Sequence, residues 1–210
     1  MPSAELLWQP TDDRARASQL YAFTTRMAAK YGFVADYPSL HRWSITRRDQ
    51  FWKEMFDLAG VKPTKPAAAV ETGSGMLDTQ WFPGLEFNFA AHLLRFGDDR
   101  VAIEAEDELG RTRSISYRDL RTQVARCAAA LRDAGVKRGD RVGGFLPNIP
   151  EAIVAMLATA GLGAVWSSCS PDFGIDGVFD RFGQITPKVL FAADAYSYNG
   201  KTIDCLDRVR

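Results

Sequence analysis

Three short apolar runs, residues 142–146, 164–167 and 189–192, alternate with two segments whose apolar positions recur at helical spacing. Strand-length runs separated by helix-length amphipathic segments are the sequence form of a βαβαβ unit with parallel strands. Polar, glycine and proline residues gather where each run ends, and open α/β sheets bind ligands at the carboxyl ends of their strands. Within this unit, Pro150 suits a first helical position and Asn148 a helix cap. Ala152, Ile153, Val154, Met156, Leu157 and Ala160 make the first helix apolar on most sides, so it should be buried. Gly161 and Gly163 end it. Ser170-Pro171-Asp172 opens the second helix, with Ile175, Val178, Phe179 and Phe182 as its packed face, and Pro187 precedes the last strand.

Upstream, residues 101–106 and 113–117 alternate and flank Asp107-Glu108-Leu109-Gly110, which predicts a β-hairpin. Ser116 and Asp119 then cap an amphipathic helix whose Leu120, Val124, Ala128 and Leu131 share a face, ending at Gly135. Its arginines (Arg118, Arg121, Arg126, Arg132) read as a solvated face paired with nearby acids. Residues 81–94 begin extended and become helical near Asn88.

The first third of the chain has a different character. Residues 11–31 predict one helix, capped by Thr11, packed through Leu20, Phe23, Met27, Ala28 and Tyr31, and closed by Gly32. A second helix is predicted from Thr46 to Ala59, with Thr46 and Asp49 as a capping box, Phe51, Trp52, Met55 and Phe56 as its apolar side, and Gly60 as its stop. The aromatic density between Tyr31 and Phe56 reads as a helical layer that needs large apolar area to dock, rather than as a ligand cage. Residues 61–75 are rich in Pro, Ala and Gly and read as a linker.

Composition narrows this picture. At 46% hydrophobic and 11% aromatic, the 210 residues describe an ordered globular chain. Lys+Arg and Asp+Glu balance at 26 each, so neither nucleic acid nor an anionic membrane surface is an expected partner. Cys127, Cys169 and Cys205 are widely spaced and form no CxxC or Cys/His cluster, so neither a zinc site nor a disulfide framework is expected. No metal ligands are assigned. The N-terminus has no apolar signal core, and the charge-free span from Ala152 to Pro171 loses its apolar character after Trp166. A reduced, cytoplasmic protein is the expectation.

Residue patterns that imitate known sites fail on inspection. Gly200-Lys201-Thr202 resembles the end of a P-loop, but the glycine needed five residues earlier is Ala195. Gly161-x-Gly163 follows a helix and lacks the third glycine of a dinucleotide fingerprint, Trp166 standing there. Gly73-Ser74-Gly75 has no following lysine. His92, one of two histidines with His41, reads as structural on a mostly apolar helix. Ser167, Ser168 and Ser170 either border a cleft at the strand end or cap its loop.

Resemblance adds what these patterns do not. The strings LDTQWFPGLEFNFAAHLL and ISYRDLRTQVARCAAALRDAGVKRGDRVGGFLPNIPEAIVAMLATAGLGAVWSSCSPDFG are similar to the acyl-adenylate-forming (AMP-binding) enzymes, and within them to the acyl-CoA synthetases. The run from Trp166 to Gly174, with residues 7–10 (LWQP) and 37–43 (YPSLHRW), resembles the acetoacetate-activating branch. The fold this implies is α/β: an N-terminal helical cap over residues 1–79, including a linker at 61–79, then the first βαβαβ subdomain of an adenylate-forming large domain over 80–210, incomplete. The implied substrates are acetoacetate, ATP and CoA, with Mg²⁺, and the implied chemistry runs through an acyl-adenylate. The family's phosphate loop, Mg²⁺ residue, adenine set and late catalytic lysine all lie beyond the matching region, so no catalytic residue is expected in this chain. It would require a C-terminal remainder. An Arg-x-Gly-Arg segment that binds CoA phosphates in the acetyl-CoA synthetases matches Tyr198-Asn199-Gly200-Lys201, making Tyr198, Gly200 and Lys201 the implied CoA contacts. Tyr198 in place of the first arginine removes a bidentate phosphate contact. Two other readings stay open: a ligase for acetate, propionate or another short acid, and a non-catalytic module of the same fold.

Overall fold

The computed structural model describes residues 6–206. They fall into two compact units that divide between Glu86 and Phe87.

In the first unit, α1 (Asp12–Arg16) and α2 (Gln19–Tyr31) replace the single helix expected from residue 11 to 31. The break is Ser18. Its hydroxyl donates to the Ala15 carbonyl at 2.7 Å and accepts the Tyr21 N–H at 3.1 Å, closing one helix and capping the next. Phe23, Met27 and Ala28 are buried as expected, but Leu20 is 54% exposed. Gly32, at φ 75°, ends α2 in the left-handed conformation.

The segment YPSLHRW, within the region expected to be a helical layer, is part of a helix of its own, α3 (Tyr37–Thr46), capped by the Asp36 carboxylate accepting from Ser39 N–H at 2.7 Å. The capping box of Thr46 and Asp49 does not form. The Thr46 hydroxyl instead donates to the Arg42 carbonyl at the end of α3, and α4 (Arg48–Ala59) starts one residue later without a side-chain cap. Trp43 lies between the rings of Tyr31 and Phe33 (centroids 4.9 and 5.4 Å) and meets Phe51 edge-on, while its indole N–H donates to Gln50. Glu54, only 11% exposed, accepts from both Lys30 and the Tyr31 hydroxyl, which hold its carboxyl below the usual carboxylate range. The Pro/Gly-rich stretch is fastened by a short ribbon of β1 (Glu71–Thr72) and β2 (Gln80–Trp81). Asp78 accepts the backbone N–H groups of Ser74 and Gly75 in the turn between them.

The second unit begins with α5 (Phe89–Leu93), then the antiparallel hairpin of β3 (Val101–Glu106) and β4 (Thr112–Ser116) and the long α6 (Tyr117–Asp133). Ser116 caps α6 through the Asp119 N–H at 3.1 Å, as its spacing indicated. A parallel sheet follows, of β5 (Arg141–Phe145), β6 (Val165–Cys169) and β7 (Val189–Ala192) in the order β6-β5-β7. The crossover α7 (Pro150–Gly161) carries the chain from β5 to β6, and α8 (Ile175–Ile185) carries it back from β6 past β5 to β7, so right-handed connections put the two helices on opposite faces of the sheet. Side chains alternate accordingly: Val142 joins the core of α6 and α7, while Phe145 joins Val178 and Phe182 of α8.

Two helix starts differ from expectation. Asn148 does not cap α7; Ile149 holds the cap position without a side-chain bond, and Pro150 is the first helical residue. Residues 170–172 form a turn, with the Ser170 hydroxyl bonded to Asp172, and α8 begins only after Gly174. Val178 and Phe182 face the core, but Phe179 is 78% exposed; the side chain of Ile175 lies outside the described residues, as do residues 1–5 and 207–210. The central strand needs its glycines. A Cβ on Gly144 would lie 2.5 Å from the Trp166 ring, and one on Gly143 2.8 Å from Leu190. The chain continues from β7 into a second hairpin, β8 (Ala195–Tyr198) and β9 (Lys201–Asp204).

Candidate functional site

The carboxyl ends of β5, β6 and β7 open on a cleft of about 1240 Å³. Its walls come from the loop before α7, the turn at Ser170–Asp172, the segment from Phe191 to Tyr198, and the β3–β4 hairpin. β5 sits between strands reached by crossovers of opposite direction, so the loops leaving it and its neighbour diverge and leave a crevice.

The charge in this cleft is mostly acidic. Glu106, Asp107, Glu108, Glu151, Asp172 and Asp194 line it, against Arg111 and Arg113. Both arginines are engaged: Arg111 pairs with Asp107 at 2.6 Å, and Arg113 reaches both Glu151 oxygens at 2.8 Å. The Arg113 guanidinium holds the Glu151 carboxyl below the usual carboxylate range, against a smaller opposing effect of burial. Backbone N–H donation from Arg111, followed by its guanidinium, does the same for Asp107. The lining thus offers a triphosphate no uncommitted cation. Among the described residues no three His, Cys, Asp or Glu side chains gather as a metal would require. The described residues lining the cleft therefore do not fit a Mg²⁺–ATP phosphate site, and none of them is assigned to one.

Tyr198 lines the cleft and is 57% exposed. Across the β8–β9 ribbon it is directly opposite Lys201, so the two side chains share a face. Asn199 and Gly200, at φ 49° and 72°, make the tight turn between them, a conformation that favours Asn-Gly. No protein atom lies within 4 Å of where a Gly200 Cβ would be, so the glycine is required there by its φ and not by crowding. Lys201 is exposed and is not part of the cleft wall. The hairpin also disposes of the P-loop imitation, since Lys201 and Thr202 lie in a strand rather than at a helix start.

Ser170 lines the cleft, whereas Ser167 and Ser168 lie within β6 outside its wall. His92 rests against Phe87, with Nε2 3.2 Å from the Arg95 guanidinium, and His41 stacks on Tyr37. Burial pushes the Cys127 and Cys169 thiols up, the reverse of what a thiolate nucleophile needs. No helix among the described residues is long and apolar enough to cross a membrane.

Two features had no local signal. The Arg113–Glu151 pair joins residues 38 positions apart. Asn88 was legible as the start of α5, its carbonyl accepting Ala91 N–H at 2.9 Å, but its amide also donates to the Ala160 and Gly161 carbonyls at 3.1 and 3.3 Å, 72 and 73 positions away.

Comparison with known proteins completes the description. The profile described as acetyl-coenzyme A synthetase N-terminus matches residues 37–93. An acetoacetyl-coenzyme A synthetase of Rhizobium meliloti (strain 1021) is 40% identical over all of this chain and 32% of its own length. A malonamoyl-CoA synthetase of Penicillium aethiopicum is 38% identical over 94% of this chain and 28% of its own. The solved acetoacetyl-CoA synthetase from Streptomyces lividans superposes with a TM-score of 0.91 at 44% identity, covering 98% of this chain and 33% of that one. The chain thus spans about a third of the length of the curated relatives it matches. The AMP-binding enzyme profile covers residues 89–209, more than half of the sequence, and the chain belongs to that family.

Proposed function

We propose that this chain is the N-terminal part of an ATP-dependent acetoacetate–CoA ligase, a cytosolic enzyme that makes acetoacetyl-CoA, AMP and pyrophosphate. The observation that carries the reading is identity of about 40% to acetoacetyl-CoA synthetases, held across both units rather than in one motif. In the first step a carboxylate oxygen of acetoacetate attacks the α-phosphorus of ATP and pyrophosphate leaves. In the second, the thiol sulfur of CoA attacks the acyl carbonyl and AMP leaves. Catalysis of this kind rests on positioning and charge neutralisation. On this reading the ATP and Mg²⁺ contacts come from parts of the enzyme that the 210 residues do not include, in keeping with a match to about a third of a relative's length. The role of the 210 residues is to form a wall of the cleft and, through Tyr198, Gly200 and Lys201, to present a CoA-phosphate contact beside it.

The purified chain is expected to show no acetoacetate-dependent ATP–pyrophosphate exchange, and detectable exchange would overturn the proposed division of labour. The enzyme assignment is tested by reading the gene past Arg210. An open frame encoding a Gly-rich loop ending in Pro-Lys, whose full product releases AMP with acetoacetate and CoA, is the expected result. An immediate stop would favour a non-catalytic module. In the full product, Lys201→Ala should raise the KM for CoA without changing that for ATP, and an unchanged CoA KM removes Lys201 from the site. A second reading keeps the ligase and changes the acid, because a malonamoyl-CoA synthetase is nearly as similar as the acetoacetate enzymes. Parallel assays with acetate, propionate and malonamate decide between them.

A further inference from the structure

The β3–β4 hairpin forms a two-stranded sheet of its own, anchored at its root where Ala102, Ile103 and the buried Ile115 pack into the core shared with α6 and α7. Its register shifts between Val101 and Ile103, a bulge that bends the ribbon near its root. Its far end is stiffened by Asp107, whose carboxylate accepts the N–H groups of Leu109 and Arg111, each at 2.9 Å. The hairpin therefore combines a bent base with a rigid tip. Ala105, Glu106 and Asp107 line one side of the cleft, and the first turn of α7 lines the other. Arg113 and Glu151 span the gap, with side chains 51% and 55% exposed. Gln123 and the half-buried Cys127, both on α6, line the same cleft.

We propose that the β3–β4 hairpin is a flap over the cleft, that the Arg113–Glu151 ion pair is its latch, and that the latched flap screens the α6 wall from dissolved molecules. The pair is the charged bond between the hairpin and α7, and the bulge supplies the bend about which the tip swings. An exposed ion pair holds weakly. The flap accordingly opens often, and its opening responds to salt. This reading does not depend on the ligase assignment.

Cys127 is a built-in reporter. Its rate of reaction with a small aromatic disulfide is measured in the 210-residue chain at fixed pH, with the Cys127→Ser chain giving the background from the buried Cys169 and Cys205. Arg113→Ala and Glu151→Gln should each accelerate Cys127 labelling roughly two- to fivefold, the span that loss of an exposed pair produces. High salt should accelerate the unmodified chain and leave both variants unchanged. The swap Arg113→Glu with Glu151→Arg should return the rate toward the original. Equal rates in the unmodified chain and the single variants overturn the latch, as does acceleration that the swap fails to reverse. A matching rise at Cys169 and Cys205 would mean general loosening and would also overturn it.

Discussion

Replacing Asn88 by alanine removes one side chain that closes two helices. Its carbonyl oxygen caps the start of α5 and its amide serves the last carbonyls of α7. The orientation is fixed by chemistry, because flipping the amide would set its oxygen against two carbonyl oxygens and its NH₂ against an N–H. Loss of an N-cap costs about 0.5–2 kcal/mol. Loss of the partly buried amide–carbonyl contact adds about 0.5–1.5 kcal/mol. The sum for Asn88→Ala is therefore roughly 1–3.5 kcal/mol, read as a lower urea midpoint by circular dichroism. Asn88→Asp separates the two roles, since a carboxylate still accepts Ala91 N–H but cannot donate to Ala160 and Gly161. Hydrogen exchange should show loss of protection at both α5 and the α7 terminus in the alanine variant, and at the α7 terminus alone in the aspartate variant. An alanine variant within about 0.3 kcal/mol of the original, or an aspartate variant with full α7 protection, would refute the double cap.

Further outcomes follow from the same packing. Gly144→Ala places a methyl 2.5 Å from Trp166 and should destabilise by about 1–3 kcal/mol, with Trp166→Leu relieving part of that loss in the double variant; additive effects would deny the contact. β6 and β7 each leave one side unpaired among the described residues, and Phe179 is bare, so light scattering of the isolated chain should give a mass that rises with concentration and falls in Phe179→Ser. A single monomeric mass throughout contradicts this. Glu54 is held ionised first by Lys30 and then by Tyr31. Its folded pKa is depressed, so its stabilisation is complete above the unfolded carboxylate value and declines as pH falls through the folded one. The acid side of the stability curve should flatten in Glu54→Gln, and an identical acid limb would remove Glu54 from that role.

Element identity was legible wherever local chemistry and periodicity agreed. The βαβαβ alternation, the Ser116 cap and the glycine stops at Gly32 and Gly60 depend on residues a few positions apart, and the structure has them where the sequence indicated. Local reading failed where one residue had two loyalties. Ser18 interrupts a good helical pattern because its hydroxyl serves both neighbours, and Thr46 ends one helix instead of starting the next, its hydroxyl donating to the carbonyl four residues back. Phe179 shows a different limit: helical spacing identifies an apolar stripe but cannot say how wide a stripe the neighbouring sheet will cover.

For the site, the sequence alone established that no P-loop or dinucleotide fingerprint is present, and that ligand-facing residues should gather at the strand ends. Those are statements about short spacings, and a chain of residues carries them unaided. Only the tertiary structure decided that the cleft is acidic with both its arginines committed, that Asn88 joins helices 72 positions apart, and that Arg113 meets Glu151 across the cleft. The physical reason is that charge pairing and polar satisfaction are settled by distance in space. Parallel crossovers bring remote segments to the same sheet end, and nothing in the order of residues fixes which donor will find which acceptor there.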